Sequence, residues 1–186
     1  TDDVNLLSKS NISISKQDWD AHETSWDFRE NELVRIWKKR RGEGELALKG
    51  TAQSIESLVD EYKQFWEGQF MQLHSNEEEL NRQFIDIYGL QDELKPNVPL
   101  DEITILQQGE ISIENNSIIW HDDVLIKQLI SYAIGCYMGR YRLDKPGLNI
   151  AYYPKDEEIS SYKVGGEDFR MDDDGIIPLM SSQNPF

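Results

Sequence analysis

The stretch IESLVDEYKQFWEGQFMQLHSNEEELNRQFIDI, residues 55–87, decides the fold. Apolar side chains recur at every seventh position in it, namely Val59, Trp66, Leu73, Leu80 and Ile87. Because Ile55 and Tyr62 fill the intermediate positions, the pattern predicts one helix of about 35 residues. At 1.5 Å per residue it extends roughly 50 Å, so it must project as an arm or lie against a larger body.

The apolar face of this helix narrows toward its C-terminal half. Gln69, Asn76 and Gln83 stand where the intermediate apolar residues would continue. This narrowing indicates a short partner helix that covers only part of the face. The nearest candidate is a helix over residues 27–41, folding back to form a helical hairpin. The alternative is a long helix buried in an ordinary bundle.

The helix over residues 27–41 has its own start signal. Asp27 and Glu30 fit a capping box, and Leu33, Ile36 and Trp37 then share one helical face.

Downstream of the long helix the sequence predicts a break and a small hairpin. Gly89 is placed to end the helix, and Pro96 and Pro99 favour an extended link. Residues 110–114 and 117–120 read as two short strands, joined by a turn at Asn115–Asn116.

A second helix follows, with Asp122 and Asp123 at its N-terminus, and is expected to include Tyr141 and to end before Lys145. Ser131, Gly135 and Gly139 recur in it at four-residue spacing. Glycines inside a helix cost about 1 kcal/mol each relative to alanine, so we expect another element to pack closely along this small-residue groove.

Together these elements predict a mainly α fold: a long helical hairpin or arm, a small β-hairpin, a second glycine-grooved helix and irregular C-terminal structure. We divide the chain into residues 1–100, an N-terminal extended segment plus the helical hairpin or arm, and residues 101–186, a small α+β region. The chain begins at Thr1 without a signal pattern and stops within what reads as a loop, so we expect an excised fragment of a larger protein.

Charge and composition exclude several classes of protein. The chain carries 19 Lys and Arg against 35 Asp and Glu, a formal net charge of −16, so a wholly basic nucleic-acid-binding surface is excluded although a local basic patch is not. No apolar run approaches the roughly 20 residues that span a bilayer, so we expect no membrane association. The lone Cys136 cannot form an internal disulfide, which favours a reducing, cytoplasmic setting.

Several ordered blocks of the sequence resemble the C-terminal part of the PglX-type adenine-specific DNA methyltransferases of BREX phage-defence systems. The blocks are SKQDWD (15–20), ETSWDF (23–28), EELNRQFI (78–85), YGLQDEL (88–94), ISYAIGCYMGRY (130–141), LDKPGL (143–148) and DGIIPL (174–179). The resemblance does not extend to residues 107–116 or to the region around residues 152–162.

This resemblance implies a bacterial enzyme that transfers a methyl group from S-adenosylmethionine to the exocyclic amine of adenine in duplex DNA. It also implies, as partners of this chain, the catalytic methyltransferase domain in cis and other defence-system proteins. The glycine-rich donor loop and the Asn-Pro-Pro-Tyr type motif of such enzymes are not complete in this sequence, since Gly42-Glu43-Gly44 follows a helix and Asn184-Pro185-Phe186 lacks the second proline. We therefore expect no catalytic residues and no cofactor in this chain itself.

The candidate DNA contact is a cluster of basic residues near the end of the first helix, Arg35, Lys38, Lys39, Arg40 and Arg41, which we call the basic cluster. It either contacts DNA phosphates or is a solvated face balanced by nearby glutamates. Trp19, Trp26 and Phe28 either stack on bases or pack against a neighbouring element.

Other chemical interpretations are weaker. Asp86, Glu93 and Lys95 have the composition of a nuclease centre but are placed on and beyond one helix, and residues 172–174 lack calcium-loop spacing. His22, His74 and His121 lack ligand spacing, and we expect His74 to be a surface histidine. An alternative function, of a different class, is that of a stand-alone acidic module that docks onto a protein partner or imitates the charge of DNA.

Overall fold

The computed structural model describes residues 2–43 and 54–149, together with the backbone of two short strands at 161–164 and 167–170. Within these residues there are four α-helices: α1 (Asp2–Asp20), α2 (Glu32–Glu43), α3 (Ile55–Tyr88) and α4 (Asp122–Tyr137). Strands β1 (Ile111–Glu114) and β2 (Ser117–Trp120) form an antiparallel hairpin, as do β3 (Ser161–Val164) and β4 (Glu167–Arg170). The mainly helical fold class predicted from the sequence is confirmed.

Helix α3 has the predicted length and the predicted ends. The Ser54 side chain accepts a hydrogen bond from the Ser57 amide at its start. At its end Gly89 adopts the left-handed conformation with φ of 67°, and the Leu90 amide donates to the carbonyl of Ile85 at 2.9 Å. The apolar face is buried from Leu58 to Leu73, where Trp66 and Phe70 are fully inaccessible, while Ile55 and Ile87 at its two ends are exposed.

The N-terminal segment differs from the expected extended chain, because residues 2–20 form helix α1. Its sequence is rich in Ser, Asn and Asp, which favour a helix weakly by themselves. Packing supplies the stability instead: Ile14 is buried in the main core, and the Asn76 amide of α3 donates to Ser10 Oγ and Asn11 Oδ1 at 3.2 and 2.8 Å. Asn76, one of the polar positions on the α3 face, thus meets polar residues of α1.

Two helices, not one, cover α3. Helix α1 lies along the part that contains Asn76, while α2 reaches only the first turns, where Arg40 contacts Ser57 and Glu61. The prediction that the helix after residue 27 is the partner is therefore incomplete.

Helix α2 also starts later than predicted. The side chain of Asn31 accepts from the Leu33 amide at 3.0 Å and its carbonyl accepts from the Arg35 amide, so Asn31 is the cap. Asp27, the predicted cap, instead binds Lys16 of α1 at 2.8 Å. The capping box at Asp27 and Glu30 is wrong because a tertiary ion pair uses the Asp27 carboxylate.

The β1–β2 hairpin agrees with the sequence. Ile111 faces Trp120, and both turn residues, Asn115 and Asn116, have positive φ values of 49° and 59°, as a two-residue hairpin turn requires. The hairpin packs on the main core, which joins α1, α2, α3, α4 and the segment around residues 100–106.

Candidate functional site

Helix α2 carries the basic cluster, and the side chains of Arg35, Lys38 and Arg40 bind polar groups of the same chain. Arg35 donates to both carboxylate oxygens of Glu32, with a shortest contact of 2.6 Å. Lys38 donates to Glu30. Arg40 donates to Glu61 at 2.7 Å and to the carbonyl oxygen of Ser57 at 3.0 Å. The charges of these three side chains are therefore largely paired within the protein.

The other two members of the basic cluster, Lys39 and Arg41, are exposed. The guanidinium carbon of Arg41 lies 4.8 Å from the ring centroid of Trp37, a cation–π arrangement that holds the side chain against α2. Lys39 and Arg41 are therefore the members of the cluster most accessible to an external anion.

An open cleft of about 730 Å³ lies between α1 and the start of α2. Its charged lining residues are three bases and four acids: Lys16, Arg29, Arg35, Asp20, Asp27, Glu30 and Glu32. Such a mixture of charges does not favour a row of phosphates. The cleft is a poor candidate for a DNA groove.

The three aromatic residues near the end of α1 have different environments. Phe28 is buried and packs edge-on against Tyr132 and Tyr141, with ring centroids 6.0 and 5.4 Å apart. Trp19 is largely exposed, and Trp26 is fully exposed at 101 % of its reference area. The packing interpretation therefore holds for Phe28 only.

A buried polar cluster lies at the junction of α1, the β1–β2 hairpin and α4. His22 Nε2 contacts Glu110 Oε1 at 2.5 Å, and both side chains are buried. His22 Nδ1 donates to the backbone carbonyl of Asp18 at 2.7 Å, since a carbonyl only accepts. The Asp18 carboxylate in turn accepts from the Leu106 amide at 3.0 Å.

The Glu110 carboxylate accepts three hydrogen bonds. Besides His22, the Gln128 side-chain amide donates to Oε1 at 2.7 Å and the Gln108 backbone amide donates to Oε2 at 2.9 Å. Although burial opposes ionisation, these hydrogen bonds hold the pKa of Glu110 below its usual value. Burial likewise opposes a charge on His22, but its hydrogen bond to Glu110 and the charge of that carboxylate raise its pKa. The two residues form an ion pair.

The His22–Glu110 pair has a structural role. It is enclosed by protein and holds the end of α1 against the start of β1 and the side of α4. The sequence reasoning missed it, since His22 and Glu110 are 88 residues apart and neither belongs to a recognisable motif. The one available signal was a glutamate directly before the first strand of the predicted hairpin.

Of the three small residues predicted to form a groove on α4, Gly135 has a close neighbour. A Cβ built on Gly135 would lie 2.6 and 2.8 Å from ring carbons of Tyr141, so the close neighbour is an aromatic ring of the chain that follows α4. Gly139 lies beyond the helix with φ of 70°, and the Arg140 amide donates to the Gly135 carbonyl. The Ser131 hydroxyl donates to Glu23 at 3.3 Å. Helix α4 thus ends at Tyr137, earlier than predicted, because Gly139 closes it.

The remaining histidines and acids are placed as follows. His74 is partly buried and contacts the carbonyl of Val98 at 2.7 Å, and His121 contacts Ser112 at 3.1 Å. Asp86, Glu93 and Lys95 are all exposed. Residues 172–174 lie outside the described part of the chain. Among the described residues no group of three or more histidine, cysteine or acidic side chains is arranged to hold a metal ion.

None of the helices described is both long and apolar enough to cross a membrane. No protein-family model matches the chain. Comparison with curated proteins, however, relates it to a class of enzymes, the adenine-specific methyltransferases.

Two relatives define the relationship. The chain is 37% identical over 159 residues to the adenine-specific methyltransferase PglX of Lacticaseibacillus casei (strain Zhang), a match covering 85% of this chain and 11% of the relative. It is 32% identical over 185 residues to the adenine-specific methyltransferase BrxX of Escherichia coli O9:H4 (strain HS), covering 95% of this chain and 14% of the relative. The chain is therefore related to the PglX-type methyltransferases, as its sequence blocks predict, and spans about one eighth of the length of these curated relatives.

Proposed function

We propose that this chain is a non-catalytic region of an S-adenosylmethionine-dependent, adenine-specific DNA methyltransferase, where it braces the enzyme and helps to orient it on duplex DNA. The observation that carries the proposal is the match itself, which covers most of this chain and only 11% and 14% of the two methyltransferases. Since the chain lacks a complete donor loop and a complete adenine-binding motif, the methyl transfer belongs to another part of such a polypeptide.

A bracing role is supported by how the chain is held together. Helix α3 extends about 50 Å and is fixed along its length by α1, α2 and the segment that returns from residue 90. The buried His22–Glu110 pair locks the end of α1 to the hairpin and α4. Such a rigid body is suited to fixing the orientation of the part of the methyltransferase that is attached to it.

The role in DNA binding is assigned to the basic cluster, and within it to Lys39 and Arg41. Their exposure leaves them accessible to phosphates, whereas Arg35, Lys38 and Arg40 are only partly exposed. Phosphate contacts position a protein on the duplex without reading its sequence.

The donor-binding prediction is the simplest to test. We expect the 186-residue chain to show no heat of binding with S-adenosylmethionine at micromolar concentrations of both. The whole polypeptide that contains it is expected to bind under the same conditions and serves as the control. Stoichiometric donor binding by the isolated chain would contradict the non-catalytic role.

The DNA prediction uses two matched double variants of the whole polypeptide. Changing Lys39 and Arg41 to Ala is expected to lower the affinity equally for specific and nonspecific duplexes. The slope of log affinity against log salt should flatten by about 1.8, because each lost phosphate contact contributes about 0.9. Changing Lys38 and Arg40 to Ala is expected to alter the slope by less than about 0.9. An unaltered slope in the first variant would show that the basic cluster is a solvated face.

The coding context provides the decisive test of the methyltransferase assignment. An Asn-Pro-Pro-Tyr type motif is expected upstream of Thr1 in the same reading frame. If that reading frame holds no methyltransferase motif, the proposed function is wrong.

A further inference from the structure

Helix α4 leaves an apolar stripe uncovered on one side. Ile130 and Ile134 lie four residues apart on it and are 53% and 51% exposed, and Met138 continues the spacing just past the helix end at 59%. The opposite side of α4 packs into the protein through Leu125, Tyr132 and Cys136. Three large apolar side chains in register on a solvent-facing side are typical of a surface that another element covers.

The stripe continues into a cleft with further exposed apolar groups. Trp26 and Leu148, which is 66% exposed, line an opening of about 230 Å³ together with Arg140 and the buried Tyr141. Glu23 lines the same cleft and accepts a hydrogen bond from Ser131, a residue of α4 between Ile130 and Ile134. Because Arg140 and Tyr141 of the cleft follow Met138 directly in the chain, we treat the cleft and the stripe as one surface, the α4 surface: Trp26, Ile130, Ile134, Met138 and Leu148.

The chemistry of the α4 surface fits a protein partner better than a nucleic acid. Tryptophan, methionine and arginine are enriched where protein interfaces are most tightly packed, and here Trp26, Met138 and Arg140 occur together. The one carboxylate of the cleft, Glu23, opposes the approach of phosphates, and the chain as a whole carries a net charge of −16.

We propose that the α4 surface is the face by which this chain docks, in cis, onto the remainder of the methyltransferase polypeptide. The proposal rests on the proposed function. Most of the length of the related enzymes lies outside the matched segment, so a large body is available to cover the surface. Asn149, the last residue of the range 54–149, is held beside this surface, because its backbone amide donates to the carbonyl of Arg140 and its side chain donates to the carbonyl of Gly139.

The test measures how far a single engineered thiol on the α4 surface is protected from alkylation. Burial raises the pKa of the native Cys136 thiol to about 11, so Ile134→Cys introduces a thiol that alkylates much faster at neutral pH. The matched control is Gln64→Cys, at an exposed position of α3. Iodoacetamide labelling at each site, read by peptide mass spectrometry, is compared between the 186-residue chain and the whole polypeptide. We expect the ratio of the rates at positions 134 and 64 to fall at least tenfold in the whole polypeptide.

Three outcomes would overturn the proposal. An unchanged ratio would show that the α4 surface stays open in the enzyme. Protection in the isolated chain that grows with concentration would assign the surface to a second copy. Protection of the whole polypeptide only after another protein is added would assign it to a partner in trans. Each of these results leaves the proposed function intact, provided that the reading frame carries the methyltransferase motif.

Discussion

Replacing Glu110 by Ala is expected to lower the free energy of unfolding by about 3 to 5 kcal/mol at pH 6, the largest loss that we expect of a single polar substitution among the described residues. The change removes one member of a buried ion pair, so His22 keeps its charge without a partner or must lose its proton. It also leaves the Gln128 side chain and the Gln108 amide without their acceptor. Urea unfolding followed by circular dichroism measures the loss.

The control for this experiment is Glu114→Ala, at an exposed position of the same hairpin. We expect it to change the free energy of unfolding by no more than about 0.5 kcal/mol. A loss of similar size in both variants would mean that the hairpin itself, not the pair, is sensitive.

The pair also predicts how stability depends on pH. Folding raises the pKa of His22 above its usual 6.5, so its contribution is complete below that value and is lost as pH rises through the folded pKa. Folding lowers the pKa of Glu110 below 4.5, so its contribution is present above that value and is lost as pH falls further. The difference in stability between the wild type and Glu110→Gln should therefore be greatest between about pH 4.5 and 6.5.

Asp18 adds a term of opposite sign, since burial raises its pKa and its protonation on acidification favours the folded state. Burial, the main cause of the raised pKa of Asp18, is the same in the wild type and in Glu110→Gln, so comparing the two proteins at every pH cancels most of this contribution; the part that comes from the charges of His22 and Glu110 stays in the difference. A difference that does not change from pH 4 to pH 9 would contradict the ion pair.

Replacing Gly135 by Leu is expected to destabilise the chain by about 1 to 3 kcal/mol or more. Even the first carbon of the new side chain would lie 2.6 Å from Tyr141, whose ring is buried and confined by Phe28 and Tyr132. The ring cannot move aside without disrupting this aromatic cluster. Thermal unfolding of the variant measures the effect.

Gly68 is the matched control, because it also lies inside a helix but faces open space. The same change there, Gly68→Leu, is expected to stabilise slightly, by up to about 1 kcal/mol, through the gain in helix propensity. A stabilising effect of Gly135→Leu as well would show that the small-residue position faces solvent.

The sequence was sufficient where structure is determined locally. The seven-residue spacing and Gly89 predicted both ends of α3, and the two asparagines predicted the hairpin turn. Helix α1 and the start of α2 were not predictable in this way, because both depend on partners remote in the chain. Ser10 and Asn11 are held by Asn76, and Asp27 is diverted from its capping role by Lys16.

The same distinction between local and tertiary causes applies to the candidate site. The basic cluster could be read directly from consecutive residues, but the ion pairs that occupy Lys38 and Arg40 come from glutamates eight and 21 residues away. Nothing local predicts which lysines and arginines remain exposed. The pairing of His22 with Glu110 is likewise a product of the tertiary fold.

The distance along the chain between these two residues has a consequence for synthesis on the ribosome. At about 5 to 20 residues per second, Glu110 is polymerised roughly 4 to 18 s after His22. During that interval helix α1 has neither its ion-pair partner nor, for most of it, Asn76, and its own sequence favours a helix only weakly. We therefore expect the nascent segment to lack a stable helix during this interval, when a chaperone would have access to Ile14 before it is buried in the core.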